Sequence, residues 1–79
     1  MYDRYQRLKE KDESKKYLFK SGNFYIFLDD DTREISEVTV LKLTSFGNGV
    51  KCGFPINSLE KYSGIFKNID FNVVIFENY

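Results

Sequence analysis

The sequence predicts a small α/β protein of the α+β kind, with one mixed β-sheet of about four to five strands flanked by about three helices. Three observations predict it. Short runs dense in β-branched and aromatic residues alternate with stretches whose apolar residues recur at helical spacing. Ser21-Gly22-Asn23 and Gly47-Asn48-Gly49 interrupt the strand-like runs as hairpin turns. Asp3…Gln6 and Asn57…Glu60 are capping-box signatures at the head of amphipathic stretches.

Each element follows from its residues. Tyr5 and Leu8 give a first helix, from about Asp3 to Asp12, a thin apolar stripe on an otherwise charged cylinder. Such a helix is expected to dock weakly and fray. Lys16–Lys20 and Phe24–Leu28 then form a hairpin. Alternation sets Phe24, Ile26 and Leu28 on one face and Tyr25 and Phe27 on the other, so this strand is expected to be central and covered on both sides. Asp29-Asp30-Asp31 suits the cap and first turn of a short helix that turns Ile35 and Val38 inward. The β-branched Val38-Thr39-Val40 disfavours continuation, and a strand is expected from Thr39 to Ser45, paired through the Gly47 turn with Val50–Cys52. Leu59, Tyr62, Phe66 and Ile69 mark a helix to about Asn68, and Phe71–Phe76 reads as the last strand.

Residues 1–79 read as a single domain. A chain this short buries little surface, and eight Phe and six Tyr compensate with large rings. Twelve basic and twelve acidic side chains cancel, so no global charge argues for a nucleic-acid partner. Their distribution is uneven: residues 1–20 carry seven Lys/Arg against four Asp/Glu, the remainder five against eight. Cys52 is the one cysteine, which rules out an internal disulfide and suits a reducing cytoplasm. The first residues lack an apolar signal region, and the apolar run Val73–Phe76 is far too short to span a membrane. There is no His, no metal-ligand spacing and no Gly-rich phosphate loop, so neither enzyme chemistry nor a cofactor or metal is expected. The Asp29–Asp31 run lacks the loop spacing of a cation site and reads as helix capping.

Taken in order, several segments resemble the N-terminal mismatch-recognition domain (domain I) of the MutS DNA mismatch-repair family. Tyr5-Gln6-Arg7-Leu8-Lys9 resembles its opening helix, and Leu18-Phe19-Lys20-Ser21-Gly22-Asn23-Phe24-Tyr25 its first strand pair. Leu41-Lys42-Leu43-Thr44, Cys52-Gly53-Phe54-Pro55, Leu59-Glu60-Lys61-Tyr62 and Val73-Val74-Ile75-Phe76-Glu77 are similar to later segments of that domain. The resemblance implies binding to duplex DNA. In the family a Phe-x-Glu motif meets the lesion, the Phe stacking on a mispaired base from the minor groove and the Glu hydrogen-bonding to it. Phe24 stands at the Phe position and Ile26 at the Glu position. Stacking tolerates any base, whereas Ile26 cannot make the hydrogen bond. The implied function is therefore weak binding of mismatched or deformable duplex with reduced selectivity. The resemblance also implies a stand-alone module, because the connector, lever, clamp and ATPase domains of full MutS proteins are not in this sequence.

Beside the Phe24 wedge, the candidate DNA contacts are Arg4, Arg7, Lys15, Lys16, Lys20 and Asn23. The residues leave Phe24 two readings, a wedge or a buried core ring, and its exposure decides between them. The alternative function is a protein-interaction module that keeps the fold without binding DNA. Its partner would be a second copy or another protein, a full-length MutS among them, met through an open sheet edge.

Overall fold

The computed structural model describes residues 2–77. The chain forms helix α1 (Tyr2–Lys11), strands β1 (Lys16–Ser21) and β2 (Phe24–Leu28), helix α2 (Asp29–Val38), and strands β3 (Thr44–Phe46) and β4 (Gly49–Pro55). A 3-10 turn at Ile56–Ser58, helix α3 (Leu59–Asn68) and strand β5 (Val73–Phe76) complete it. This is the small α+β fold that the sequence predicts. The five strands lie in the order β3-β4-β2-β1-β5; β5 runs parallel to β1 and every other pair is antiparallel. Gly22 adopts φ +60° in the two-residue turn between β1 and β2, a left-handed conformation that glycine takes without steric cost.

Register divides the sheet into two faces. Leu18, Tyr25, Phe27, Cys52 and Phe54 pack with Ile35 of α2 and Tyr62 and Phe66 of α3. Tyr17, Phe19, Ile26 and Leu28 pack on the other face with Tyr5 of α1. β2 is thus central and buried on both sides, as its two apolar faces predict. Rings carry much of the packing: Phe54 stacks on Tyr62 with centroids 4.5 Å apart, and Phe27 meets Phe66 edge to face at 5.4 Å.

The helix expected to dock weakly is latched. Lys9 Nζ donates to the Glu13 and Lys15 carbonyls and to Asp31 Oδ1, at 2.9, 2.9 and 2.7 Å. The other Asp31 oxygen accepts the Tyr17 N–H at 2.8 Å. The Tyr17 hydroxyl donates in turn toward the Leu8 and Asp12 carbonyls at the end of α1. Asp31 is fully buried. Its desolvation pushes the carboxyl above the ordinary carboxylate range, against the pull of Lys9 and the Tyr17 N–H.

Four local expectations are corrected. α1 begins at Tyr2, so Asp3 lies in the first turn rather than capping it. Neither α2 nor α3 has a side-chain cap hydrogen bond; Leu28 and Ser58 occupy their cap positions, and the three aspartates open α2 from inside its first turn. Val38 points outward at 50% exposure, because α2 meets the sheet through Ile35 one turn earlier. Residues 39–43 are not a strand: the Thr39 hydroxyl accepts the Leu41 N–H and donates to the Ile35 carbonyl, bending the chain away before β3 starts at Thr44.

Candidate nucleic-acid interface

Phe24 opens β2, directly after the Gly22-Asn23 turn, and 49% of it is exposed, whereas Tyr25, Ile26, Phe27 and Leu28 behind it are all buried. The exposure has a simple cause. α1 lies over the far half of its sheet face, with Tyr5 and Leu8 in the cluster around Tyr17 and Leu28, and nothing among the described residues covers the near half. Phe24 stands in register with Ser21 on one side and Pro55 on the other. Behind it a shallow cleft of about 260 Å³ is lined by Ser21, Ile26, Thr44, Lys51 and Gly53.

The floor of that cleft is shaped by two residues. Ile26 is 6% exposed and presents an aliphatic surface without donor or acceptor. Gly53 lies opposite it in register, and a Cβ there would fall 2.5 Å from the Tyr25 carbonyl oxygen and 2.8 Å from Ile26 Cγ2. The cleft is therefore as deep as a bare backbone allows. The turn beside it is tied down by the Ile56 N–H, which donates to the Asn23 carbonyl at 2.9 Å.

The predicted basic residues are not gathered around the ring. Asn23 is exposed in the turn beside the ring, whereas Lys20, in register with Tyr25, projects from the opposite sheet face. Lys15 and Lys16 lie at the opposite end of β1, and five residue steps put Lys16 roughly 16 Å from Ser21. Lys16 is buried with its ammonium 2.5 Å from Glu34, so its place is an internal ion pair and not a phosphate contact. Lys15 faces Asp12 at 3.5 Å. Arg4 and Arg7 are exposed on α1, and the Arg4 guanidinium lies 4.5 Å over the ring of Phe76, which pairs in register with Phe19 on the same face as Phe24.

One cation near Phe24 was absent from the sequence reading. Lys51 sits on β4 opposite Leu28 and Thr44, on the Phe24 face, with its ammonium 5.0 Å from the Phe46 ring centroid. The signal was available in alternation: two residues before Gly53, position 51 shares its face. Cys52, between them, points into the opposite core; burial pushes its thiol up to about 11, consistent with an inert small hydrophobe.

A larger cleft of about 920 Å³ lies between α1 and α2 at the other end of the sheet, lined by Glu10, Glu13, Asp29, Asp30 and Glu34 among others. Lys9 and Lys16 also line it, but the carboxylates outnumber them, a charge balance unfavourable to a polyanion. The described residues contain no group of three His, Cys, Asp or Glu placed to hold a metal ion, and no helix long and apolar enough to cross a membrane.

Comparison with known proteins bears on this face. The family model for MutS domain I matches residues 1–79. The DNA mismatch repair protein MutS of Ehrlichia chaffeensis is 33% identical over 69 residues, which covers 85% of this chain and 9% of that protein. The chain thus spans a small part of the relative it matches.

Proposed function

The chain belongs to the MutS domain I family, and we propose that it binds duplex DNA by inserting Phe24 between stacked bases from the minor groove. In MutS proteins domain I serves mismatch recognition and DNA binding rather than catalysis. The observation that carries the proposal is the exposure of Phe24 at the end of a strand whose other four residues are buried. A ring left open on a glycine-turned hairpin, backed by a packed sheet, is a rigid wedge of the kind that unstacks a base step.

The same geometry supports weak binding with reduced mismatch selectivity. Ile26 is folded into the floor behind the ring and offers a base no hydrogen bond. Discrimination then rests on how cheaply a site unstacks, which favours mismatched or flexible steps over stiff duplex. Asn23, Arg4 and Arg7 are the proposed backbone contacts, and they position the duplex without reading it. The role is binding, not catalysis, in the cytoplasm, where the lone buried thiol stays reduced.

The test is a fluorescence-anisotropy titration of matched and single-mismatch duplexes with the wild type and Phe24→Ala. Stacking worth about 1–3 kcal/mol predicts that Phe24→Ala weakens binding about 5- to 150-fold. Because the ring is half exposed, its removal should shift the urea midpoint by no more than about 0.5 kcal/mol of stability. Equal binding by Phe24→Ala, or none by the wild type at low salt, would overturn the reading. In the latter case a protein-interaction role moves to the front. Its support is β5, which pairs only with β1 at the edge of the described sheet and carries Ile75 at 36% exposure. Light scattering showing concentration-dependent association would favour a second copy as that partner.

A further inference from the structure

We propose that Lys51 is a phosphate-contacting residue of this interface, anchoring the duplex on the β4 side of the step that Phe24 opens; the inference rests on the duplex-DNA reading above. Three observations converge on it. Lys51 lines the same cleft as Phe24, together with the hydroxyl-bearing Ser21 and Thr44. It projects from the same sheet face as Phe24, in register with Leu28 on β2 and Thr44 on β3. Its charge is also uncommitted: among the described residues Lys9, Lys15 and Lys16 each face a carboxylate, whereas the Lys51 ammonium meets only the Phe46 ring.

That resting place suits an anchor. A cation held over a partly buried aromatic face such as that of Phe46 gains about 0.5–2 kcal/mol, which a charge-assisted phosphate contact can replace. The Phe46 ring keeps the long side chain lying along the sheet rather than free in solvent, so less rotamer freedom is lost on binding. Register places Lys51 level with Leu28, four residues along β2 from Phe24, or roughly 13 Å. On a duplex that interval is about four base steps at 3.4 Å rise per strand. Asn23, in the exposed turn, stands on the other side of the ring, so the wedge enters between a cationic contact on one flank and a polar one on the other.

The experiment measures the affinity of a single-mismatch duplex across a salt series for the wild type, Lys51→Gln, Lys51→Arg, Phe24→Ala and Lys61→Gln. Lys61 is the matched control: it also lies over a ring, that of Tyr62, but on α3 against the opposite sheet face. Losing one phosphate contact should flatten the slope of log affinity against log salt by about 0.9 for Lys51→Gln. Lys51→Arg should restore the slope, and Lys61→Gln should leave it unchanged. Phe24→Ala should weaken binding at every salt concentration while keeping the wild-type slope. Urea midpoints taken in parallel separate lost folding from a lost contact, and a Lys51→Arg variant that folds but does not restore the slope counts against the proposal. A wild-type slope in Lys51→Gln, or an equal loss in Lys61→Gln, overturns the role of Lys51 and leaves the DNA reading standing. Failure of the wild type to bind any duplex at low salt overturns both.

Discussion

At the scale of single residues, Gly53 is the most exacting position behind Phe24. It lies in a regular strand, so its requirement is for space and not for an unusual backbone angle. A methyl group would meet the Tyr25 carbonyl oxygen at 2.5 Å and Ile26 Cγ2 at 2.8 Å, and the first of these is backbone that cannot rotate aside. Gly53→Ala is therefore expected to lose about 1–3 kcal/mol by overpacking, read as a lower urea midpoint. An unchanged midpoint would show that β2 and β4 can separate at this point. The residue scale was also where the sequence spoke least evenly. Alternation put Phe24, Ile26 and Leu28 on one face, which is where they are, yet that pattern alone gives no sign that the first of the three is open. Exposure depends on where α1 stops, a tertiary fact. Lys51 escaped for the opposite reason, since its face was readable from Gly53 two positions on, but its neighbour Phe46 comes from another strand.

At the scale of elements, α1 shows how a buried ion pair changes a reading made from amphipathicity. Tyr5 and Leu8 are a thin stripe, and the stripe alone argues for loose docking. The missing information was Lys9, one of six charged residues among positions 3–11, which reaches an aspartate 22 positions away. No local pattern distinguishes it from its solvated neighbours. The pair yields a pH-dependent prediction. Burial raises the Asp31 carboxyl above its ordinary 3.8 in the fold, so the folded state holds that proton more tightly than the unfolded chain. The stability this contributes is present at low pH and lost as pH rises from 3.8 through the raised value. Lys9→Met removes the compensating ammonium, raises the carboxyl further and widens that window. The variant should be less stable by about 3–5 kcal/mol near neutrality, through an uncompensated buried charge. Its deficit should shrink as Asp31 protonates, and chemical denaturation at about pH 7 and about pH 4.5 reads the difference. An equal deficit at both would place the loss in packing of the lysine stem instead.

At the scale of the whole molecule, a net charge of zero conceals a polarity along the strands. The order of elements, the hairpins and the final strand were legible because glycine turns and helical spacing are local signals. The gathering of charge at one end was not, because it joins the end of α1 to the start of α2 across the sheet. Glu10, Glu13, Asp29, Asp30 and Glu34 line the cleft at the end where β1 begins and β2 finishes. Phe24 stands at the other end. The molecule is only 28 Å in its longest extent, so salt decides whether those carboxylates are felt at the proposed DNA face. At about 0.01 M ionic strength the screening length is about 30 Å and spans the protein, while at 0.15 M it is about 8 Å. Neutralising two distant carboxylates in Glu10→Gln/Glu13→Gln should therefore strengthen duplex binding by about threefold at the lower salt and leave it within error at the higher. Both residues are exposed on or just beyond α1, and the Glu13 carbonyl that Lys9 uses is unchanged by the substitution. A gain that persisted at 0.15 M would mean that the duplex lies against the α1–α2 end, far from Phe24, and the proposed orientation would be wrong.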